Sequence, residues 1–506
     1  MRKVLSSFAF LAILILPAAL FAQHIVYTDP EKDDVRRTNF DIIGKIGGNV
    51  LVFKSNRTDN AISVYSLDMK LIQRVNLDYM PDKYTDVYFI PYQNYCYMFY
   101  EYQKKNIVHL TVVKLDGFGK KLAEPADLDT THISSSGSNK IYTTVFSEDR
   151  SKIIIFKINS KNSKNFLFTT FLYDSELQLL DRHRLWIPME DRNDYFTDFF
   201  LDNDGGLVFA KFLKSNSNDF VSRVSMVTKA ATADTFSIKD AGTADHILDE
   251  IKIKVDNLNK QYILTGFYYR QRKGNIEGLY SVTWDKTSDS KVKETLTVFN
   301  DELRSLAKSS EENLKMAFND FFIKQVIPKK SGGFILISEA EYTSSRGGYF
   351  NRWDYMYGSP FYSPMDYYGN PYYSRYGYGY GNPYNNPVRY HAENIMLVSF
   401  DNNGNLEWSN VIPKSQFDDE SENLISYQIM NTGGELHFLY NEYDHRNILL
   451  NDQSIAPDGK VTRHPTLRNL DKGYEFMPRH GKQISATQII FPCLYRNYLC
   501  FAKVEF

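Results

Sequence analysis

The sequence predicts an all-β protein assembled from a repeated four-stranded unit. Three observations point there: an aromatic excess, short apolar runs at regular intervals, and an Asp-bearing turn that recurs. The 506 residues include 37 Tyr and 35 Phe but only 4 Trp, so 15% are aromatic, and Tyr and Phe favour strands. Charge is nearly balanced, with 59 Lys+Arg against 61 Asp+Glu, and 43% of residues are hydrophobic. That composition excludes a disordered polyelectrolyte, and it supplies no overall basic field for nucleic acid. No nucleic-acid partner is expected.

Residues 1–22 read as a secretory signal. Arg2 and Lys3 supply the positive start, Phe8 to Leu16 is an unbroken apolar run, and Pro17 ends it before a cut after Ala22. The run is too short for a membrane span of about 20 residues, and no later segment reaches that length, so no transmembrane helix is expected. The chain reads as exported: periplasmic, outer-membrane-associated or extracellular. Residues 23–506 read as a single domain. Cys96, Cys493 and Cys500 are the three cysteines. Cys493 and Cys500 are placed to bridge a hairpin at Arg496–Asn497, but three buried thiols acting as small hydrophobes is the favoured reading.

The repeat is visible in the strands. NVLVFKS, YCYMFYEY, KIIIFKI, GLVFAKF, QYILTGFYY, GFILISEAEY and ELHFLYNEY recur as short apolar runs rather than as clean alternation. Such runs predict burial on both faces. Each is followed by a polar loop, a second apolar strand and a tight turn. The turns fall at Asp68, Asp116, Asp174, near Lys229, Asp285, Asp401 and Asp458, with steps of 48, 58, about 55, about 56, 116 and 57 residues. Asp, Asn and Gly tolerate the positive φ that two-residue hairpin loops demand. Units of about 55 residues with four strands each predict a β-propeller. An eighth unit begins near Gly473 and lacks its outer strand. The stretch His24-Ile25-Val26-Tyr27-Thr28, ahead of the first full unit, is free to supply it and close the ring. Eight blades are therefore expected, with seven as the fallback.

The hairpin DNNGNLEW, Asp401 to Trp408, resembles the D-x-x-G-x-x-x-W hairpin of quinoprotein-like propellers, and the other turns resemble weakened versions of it. Nearly all of the chain after residue 22 is similar to uncharacterised exported bacterial proteins with propeller-like repeats. The shared motif is structural. It implies no quinone or other cofactor and brings no functional residue with it.

The long step holds residues 342–390, a Tyr/Gly/Pro/Asn-rich loop between the second and third strands of the sixth unit. These 49 residues carry 14 Tyr and 7 Gly. Gly, Pro and Asn prevent a regular element, while Tyr offers a large contact area at small entropy cost with a hydroxyl to satisfy. The loop competes between two readings, a chain collapsed on the rim and a recognition surface. The candidate binding residues are Tyr349, Trp353, Tyr355, Tyr357, Tyr362, Tyr367, Tyr368, Tyr372, Tyr373, Tyr376, Tyr378 and Tyr380, with Arg346, Arg352 and Arg375. Loops between second and third strands also carry Lys54, Arg57, Lys104, Lys105, Lys161, Lys164, Lys214, Arg270, Arg272, Lys273 and Arg389 against fewer acids. A basic rim of this kind would suit an anionic partner.

No catalytic residues can be named. GxSxG, Walker and metal-ligand spacings are absent, and the ten His form no HxH or HxxxH pair. Asp202–Gly206 and the Asp401 loop lack the twelfth-position Glu of a calcium loop, so they read as hairpin turns, and no metal site is expected. The reading leans against an enzyme and toward an exported cell-envelope binding or scaffolding propeller, meeting a protein or glycan partner through the loop-bearing face. The first rival is a glycan hydrolase with carboxylates converging in the central channel. The second is an outer-membrane β-barrel, suggested by the alternation of Tyr498, Cys500, Ala502, Val504 and Phe506.

Overall fold

The apolar runs form strands that are covered on both faces and gather in fours. The computed structural model describes residues 24–31, 38–56, 59–133, 140–162, 164–189, 194–214, 220–243, 246–271, 274–308, 314–345, 388–419, 421–444, 447–467, 473–496 and 498–506. The first strand, β1 (His24–Tyr27), stands ahead of the repeats. Blade I is β2–β5 (Asn39–Ile46, Asn49–Ser55, Asn60–Tyr65, Leu71–Asn76), and blade II is β6–β9 (Asp86–Pro91, Tyr95–Lys104, Ile107–Asp116, Ala126–His132). Blade III is β10–β13 (Tyr142–Phe146, Lys152–Asn162, Asn165–Asp174, Leu179–Pro188). Blade IV is β14–β17 (Asp194–Leu201, Leu207–Lys214, Val221–Lys229, Ser237–Asp240). Blade V is β18–β21 (Ile247–Asp256, Gln261–Tyr269, Ile276–Asp285, Ser290–Val298). Blade VI is β22–β25 (Phe321–Pro328, Phe334–Ser345, Val388–Phe400, Leu406–Ile412) with an added β26 (Gln416–Asp418). Blade VII is β27–β30 (Tyr427–Asn431, Leu436–Asp444, Asn447–Ile455, Val461–Arg463). Blade VIII is β31–β34 (Tyr474–Phe476, Lys482–Ser485, Gln488–Tyr495, Tyr498–Glu505). In blades I to VII the four strands pair antiparallel in chain order, whereas in blade VIII β31 and β32 both pair with β33 as two pieces of one inner strand. The protein is an eight-bladed β-propeller.

Side chains alternate across a strand, so each strand of a blade serves two neighbours. In β11, Ile153 and Ile155 pack toward blade II, whereas Ile154, Phe156 and Ile158 pack toward blade IV. The buried hydrophobics divide in this way into eight clusters, each drawn from two successive blades. This is why the runs are apolar at every position rather than at every second one. Much of the phenylalanine excess is spent here. At the III–IV seam Phe168 lies 5.5 Å from Phe196, 5.6 Å from Phe209 and 5.1 Å from Phe236 between ring centroids. Offset and edge-on pairs at such distances are favourable. A short helix, α1 (Asp301–Ala307), covers the V–VI seam with Leu303 and Ala307. It is capped by Asn300, whose side chain accepts from the Leu303 N–H at 2.8 Å.

The recurring acids act on their own turns. Asp116 accepts from the N–H of Phe118 and Lys120 at 2.8 and 2.9 Å, and Asp174 from Glu176 and Gln178 at 2.9 and 2.8 Å. The loops are longer by one residue than the two-residue turns expected. The Gly119 N–H donates to Asp116 O while the Asp116 N–H donates to Lys120 O, leaving a third loop residue at φ 71°. This three-residue loop with a bulge needs one positive φ instead of two, so Met69 and Leu177 fill it elsewhere at φ 58° and 59°. Glycine is demanded where the next blade closes in. A Cβ on Gly459 would stand 2.6 Å from Trp408, whose indole N–H donates to Pro457 O at 3.0 Å. Trp408 thus docks the sixth blade on the turn of the seventh. The Asp202 and Asp401 turns are hairpins of the same kind, with Asp202 accepting from Asp204 and Gly206.

Closure uses both ends of the described chain. β1 pairs antiparallel with β34, from His24 opposite Glu505 to Tyr27 opposite Ala502. The Thr28 N–H donates to Phe501 O at 2.8 Å, and the Thr28 hydroxyl accepts the Phe501 N–H at 3.0 Å. Tyr27 stacks on Tyr474 with centroids 4.2 Å apart. The alternation of β34 that suggested a barrel strand has another cause. Leu499 and Phe501 face blade I, while Cys500, Ala502 and Val504 face blade VII, so both sets lie in protein. The strands form seven sheets, blades IV and V being joined only by the Val221–Leu248 pair, rather than one closed cylinder, which sets the barrel reading aside. Cys96, Cys493 and Cys500 are buried free thiols, the last two facing each other with Sγ atoms 3.2 Å apart.

Deleting residues 24–28 should cost about 3–5 kcal/mol, from roughly five backbone hydrogen bonds and the cover of Ile25, Val26 and Tyr27. It should also convert β34 into an exposed edge prone to pairing between molecules. Chemical denaturation with light scattering checks both, and an unchanged midpoint would contradict the closure account.

Candidate functional site

The long loop grows out of a built stem. The β23–β24 ladder continues into the Tyr-rich segment, with Tyr342 opposite His391, Thr343 opposite Tyr390, Ser344 opposite Arg389 and Ser345 opposite Val388. β26 adds to the same strand, pairing Tyr390, His391 and Ala392 with Asp418, Phe417 and Gln416. The Tyr342 and His391 rings stack at 4.3 Å and 10°. Tyr342 donates to Glu393 at 2.8 Å, and Ser344 lies 3.0 Å from His391 Nε2. Burial pulls His391 below the ordinary histidine value. On the outer side, Arg389 makes two hydrogen bonds to Asp419, at 2.6 and 3.0 Å, and lies 4.3 Å over the half-exposed Phe417 ring. The candidate residues Arg346, Tyr349, Arg352, Trp353, Tyr355, Tyr357, Tyr362, Tyr367, Tyr368, Tyr372, Tyr373, Arg375, Tyr376, Tyr378 and Tyr380 lie outside the described residues.

Beneath the stem sits a knot of buried charge that the sequence pattern had not singled out. Glu339 and Glu341 on β23 face Lys324 on β22, Lys414 between β25 and β26, and Arg479 in the turn that splits the inner strand of blade VIII. Lys414 Nζ is 2.7 Å from Glu339 Oε1, with side-chain exposures of 1% and 0%. Ser426 donates to Glu339 at 2.6 Å. Glu341 is held by Lys324 and by Arg479, the latter at 2.6 Å, and Arg479 also holds Glu422. Burial pushes the Glu339 carboxyl up and the Lys414 ammonium down, each opposed by its partner. Three cations thus meet three carboxylates, Glu339, Glu341 and Glu422. The knot ties blades VI, VII and VIII together just below the loop-bearing face.

Other blades carry smaller versions. Glu101 on β7 accepts the N–H groups of Ile141 and Tyr142 at 2.8 and 3.0 Å, where the chain enters blade III. Burial holds its carboxyl up at about 7, against these hydrogen bonds and the nearby Lys140. Its cleft, lined among others by Asp86, Tyr88, Lys140 and Tyr142, has about 10 Å³ of space, enough for roughly one water. Glu250 likewise accepts the Ile323 N–H at 2.7 Å.

The basic rim is thinner than its sequence suggests. Lys54 is buried, with an exposure of 1%, and paired with Glu31 at 2.8 Å; Arg389 is bound to Asp419, and Arg270 lies 3.7 Å from Glu277. Lys104, Lys105 and Lys164 are exposed, while Arg57, Arg272 and Lys273 lie outside the described residues, as do the side chains of Lys161 and Lys214. A third grouping joins Glu435, His437 and His464. Its only sequence trace is the i, i+2 spacing of Glu435 and His437 at the start of a strand.

No family model and no curated protein matches the chain. Among solved structures, an ulvan lyase described as a new family of polysaccharide lyase is 10% identical over 82% of this chain and 90% of its own, with a TM-score of 0.37. Prolyl oligopeptidase B from Galerina marginata is 7% identical over 92% of this chain and 56% of its own, with a TM-score of 0.39. The Nup133 β-propeller domain of Vanderwaltozyma polyspora is 10% identical over 83% and 99%, with a TM-score of 0.35. These likenesses carry no activity to this chain, and it is the strand pairing and the eight seams that establish the propeller.

Replacing Lys414 by Met should destabilise the protein by about 3–5 kcal/mol, because Glu339 then remains buried without its cation. The pair Lys414→Met with Glu339→Gln should recover part of that loss in thermal unfolding. Glu101 titrates in the opposite sense to a salt-bridged acid. Its folded value lies above the unfolded one near 4.5, so its burial costs nothing at low pH and costs more as pH rises through 7. The stability of Glu101→Gln relative to wild type should therefore improve by up to about 3 kcal/mol between pH 4.5 and 8. A difference independent of pH would show that this carboxyl is ionised throughout.

Proposed function

We propose that the protein is an exported binding or scaffolding propeller of a cell envelope, which meets a glycan or protein partner through the face bearing the Tyr-rich segment. The observation that carries this reading is the stem. Ser345 and Val388 are direct partners in the ladder, so the 42 residues between them leave and rejoin the ring at one point. Stacking, ion pairing and an added strand brace that branch point. A long insertion held on a rigid platform is the usual design of a recognition loop. Tyrosine is suited to that work through wide contact and a polar tip. The acids beneath the stem, Glu339 and Glu341, are matched by Lys324, Lys414 and Arg479, an arrangement that suits holding blades better than the glycan hydrolase of the rival reading. Export rests on the apolar N-terminal segment, and the positive charges of the loop favour an acidic glycan or an acidic protein surface.

The register supplies a clean test. Residues 346–387 can be replaced by Asn-Gly, which joins Ser345 to Val388 as a short hairpin. The shortened protein should keep its far-UV spectrum and melting temperature. It should lose at least tenfold in affinity for immobilised envelope polysaccharide or for the envelope fraction that retains wild type. Equal retention of both proteins would overturn the proposal.

A further inference from the structure

Blade VII brings together three side chains on the opposite flank from the loop stem. Glu435 directly precedes β28, His437 is its second residue, and His464 follows β30. The pairing of β28 with β29 sets His437 opposite Ser454, and that of β29 with β30 sets Ser454 opposite Thr462. Two strands, β28 and β30, therefore deliver the three groups to one side of β29, which runs between them. One ligand atom from each lies within 4.8 Å of the others, a spread that side-chain shifts of about 1 Å close to the roughly 3.5 Å between ligands of a tetrahedral ion bound at about 2.0–2.2 Å.

Both rings are already aimed. His437 Nδ1 is 2.9 and 3.2 Å from the two oxygens of Asp452, whose side chain is fully buried. His464 Nε2 is 2.8 Å from the Ser454 hydroxyl, and its backbone N–H donates to Asp452 O at 3.0 Å. The two rings stack at 5.2 Å and 27°, and Phe506 closes edge-on over His437 at 5.2 Å. These bonds engage one nitrogen of each ring, leaving Nε2 of His437 and Nδ1 of His464 as the remaining donors. A carboxylate behind a histidine is the arrangement that fixes tautomer and orientation in metal sites. An Asp–His pair kept only for packing would not need Glu435 and a second, independently anchored histidine converging on it.

We propose that Glu435, His437 and His464 bind one divalent transition-metal ion of the zinc type, with a fourth position open to water or to a partner's side chain. Two imidazoles and one carboxylate suit zinc, whereas magnesium and calcium prefer oxygen-only shells. The ion ties the three-residue outer strand β30 to β28 across β29, in the blade next to the closing one, and so stabilises the folded ring by mass action.

The test uses the full chain stripped with a chelator. Calorimetric titration with Zn²⁺ should show one equivalent bound per chain and a rise in melting temperature, and millimolar Mg²⁺ should produce neither. His464→Ala should weaken zinc binding at least 100-fold while leaving the melting temperature of the metal-free protein within a few degrees. Asp452→Asn should weaken it 10- to 100-fold through loss of ring orientation. Should that buried substitution fail to fold, Glu435→Gln, in the turn just ahead of β28, serves in its place with the same expected direction. Absence of a stoichiometric zinc equivalent, or equal affinity in wild type and His464→Ala, would overturn the proposal.

Discussion

The structure depends on the pairing of β1 with β34. A propeller buries its apolar area between blades rather than within them, so each blade is stable only with a neighbour on either side. At the VIII–I seam, Met477, Ile490, Leu499 and Phe501 pack against Ile42, Val50, Val52 and Tyr65. That seam joins the two ends of the chain and has no covalent linker across it. β1 precedes blade I in sequence and completes blade VIII in space, so it puts the covalent connection where the topology would otherwise leave none. It also covers the row of N–H and C=O groups that β34 would otherwise expose as an open edge.

Hydrophobic seams specify that blades stack but say little about their angular register, since apolar faces slide at small cost. Buried polar groups in the second strand of several blades supply the register. Lys54 reaches Glu31, Lys211 reaches Pro188 O at 2.6 Å, and Glu101 takes two N–H groups where blade III begins. Asn441 donates to Leu424 O and Phe476 O, each at 2.8 Å, joining blade VII to the chain on both sides of it. Lys211, Glu101 and Asn441 meet backbone at or beside a link between blades, where the ladder leaves donors or acceptors unpaired, and Lys54 meets the Glu31 carboxylate ahead of blade I. A shifted blade would strand a buried polar group at a cost of about 1–3 kcal/mol or more. The Glu339–Lys414 knot is the largest of these devices and sits where the ring must also carry the weight of the insertion.

What was legible in the sequence follows from this division. The repeat, the blade number and the closing role of residues 24–28 could be read because they rest on local strand and turn chemistry. Double-faced burial showed as runs such as KIIIFKI. The polar registers were present in the same strings, as the Lys of NVLVFKS and the Glu of YCYMFYEY, but a charged residue at a strand end looks the same whether it faces solvent or a linker. That ambiguity is why Lys54 counted as a rim cation when it is buried against Glu31. The Glu339–Arg479 knot and the Glu435–His437–His464 group are assembled from separate strands or blades, so no spacing along the chain announces them. The turn length was misjudged by one residue because the Asp side chain, rather than two glycines, satisfies the loop.

The distribution of charge separates the two kinds of work in this molecule. Glu339, Glu341 and Glu422 beneath the stem are neutralised by Lys or Arg at hydrogen-bond distance, and Glu101 is held by two backbone N–H groups, which fits holding blades. At the branch point the pattern changes: Arg389, Asp419 and Phe417 are exposed, and their pairing stiffens the stem without burying it. A ring closed by strand pairing and braced beneath the stem can carry a long, aromatic and chemically varied insertion without its own stability depending on what that insertion binds. The aromatic excess of the composition therefore has two physical origins. Phenylalanine and part of the tyrosine fill the seams, and twelve of the 37 tyrosines lie in the sequence between Ser345 and Val388, the last pair of the β23–β24 ladder.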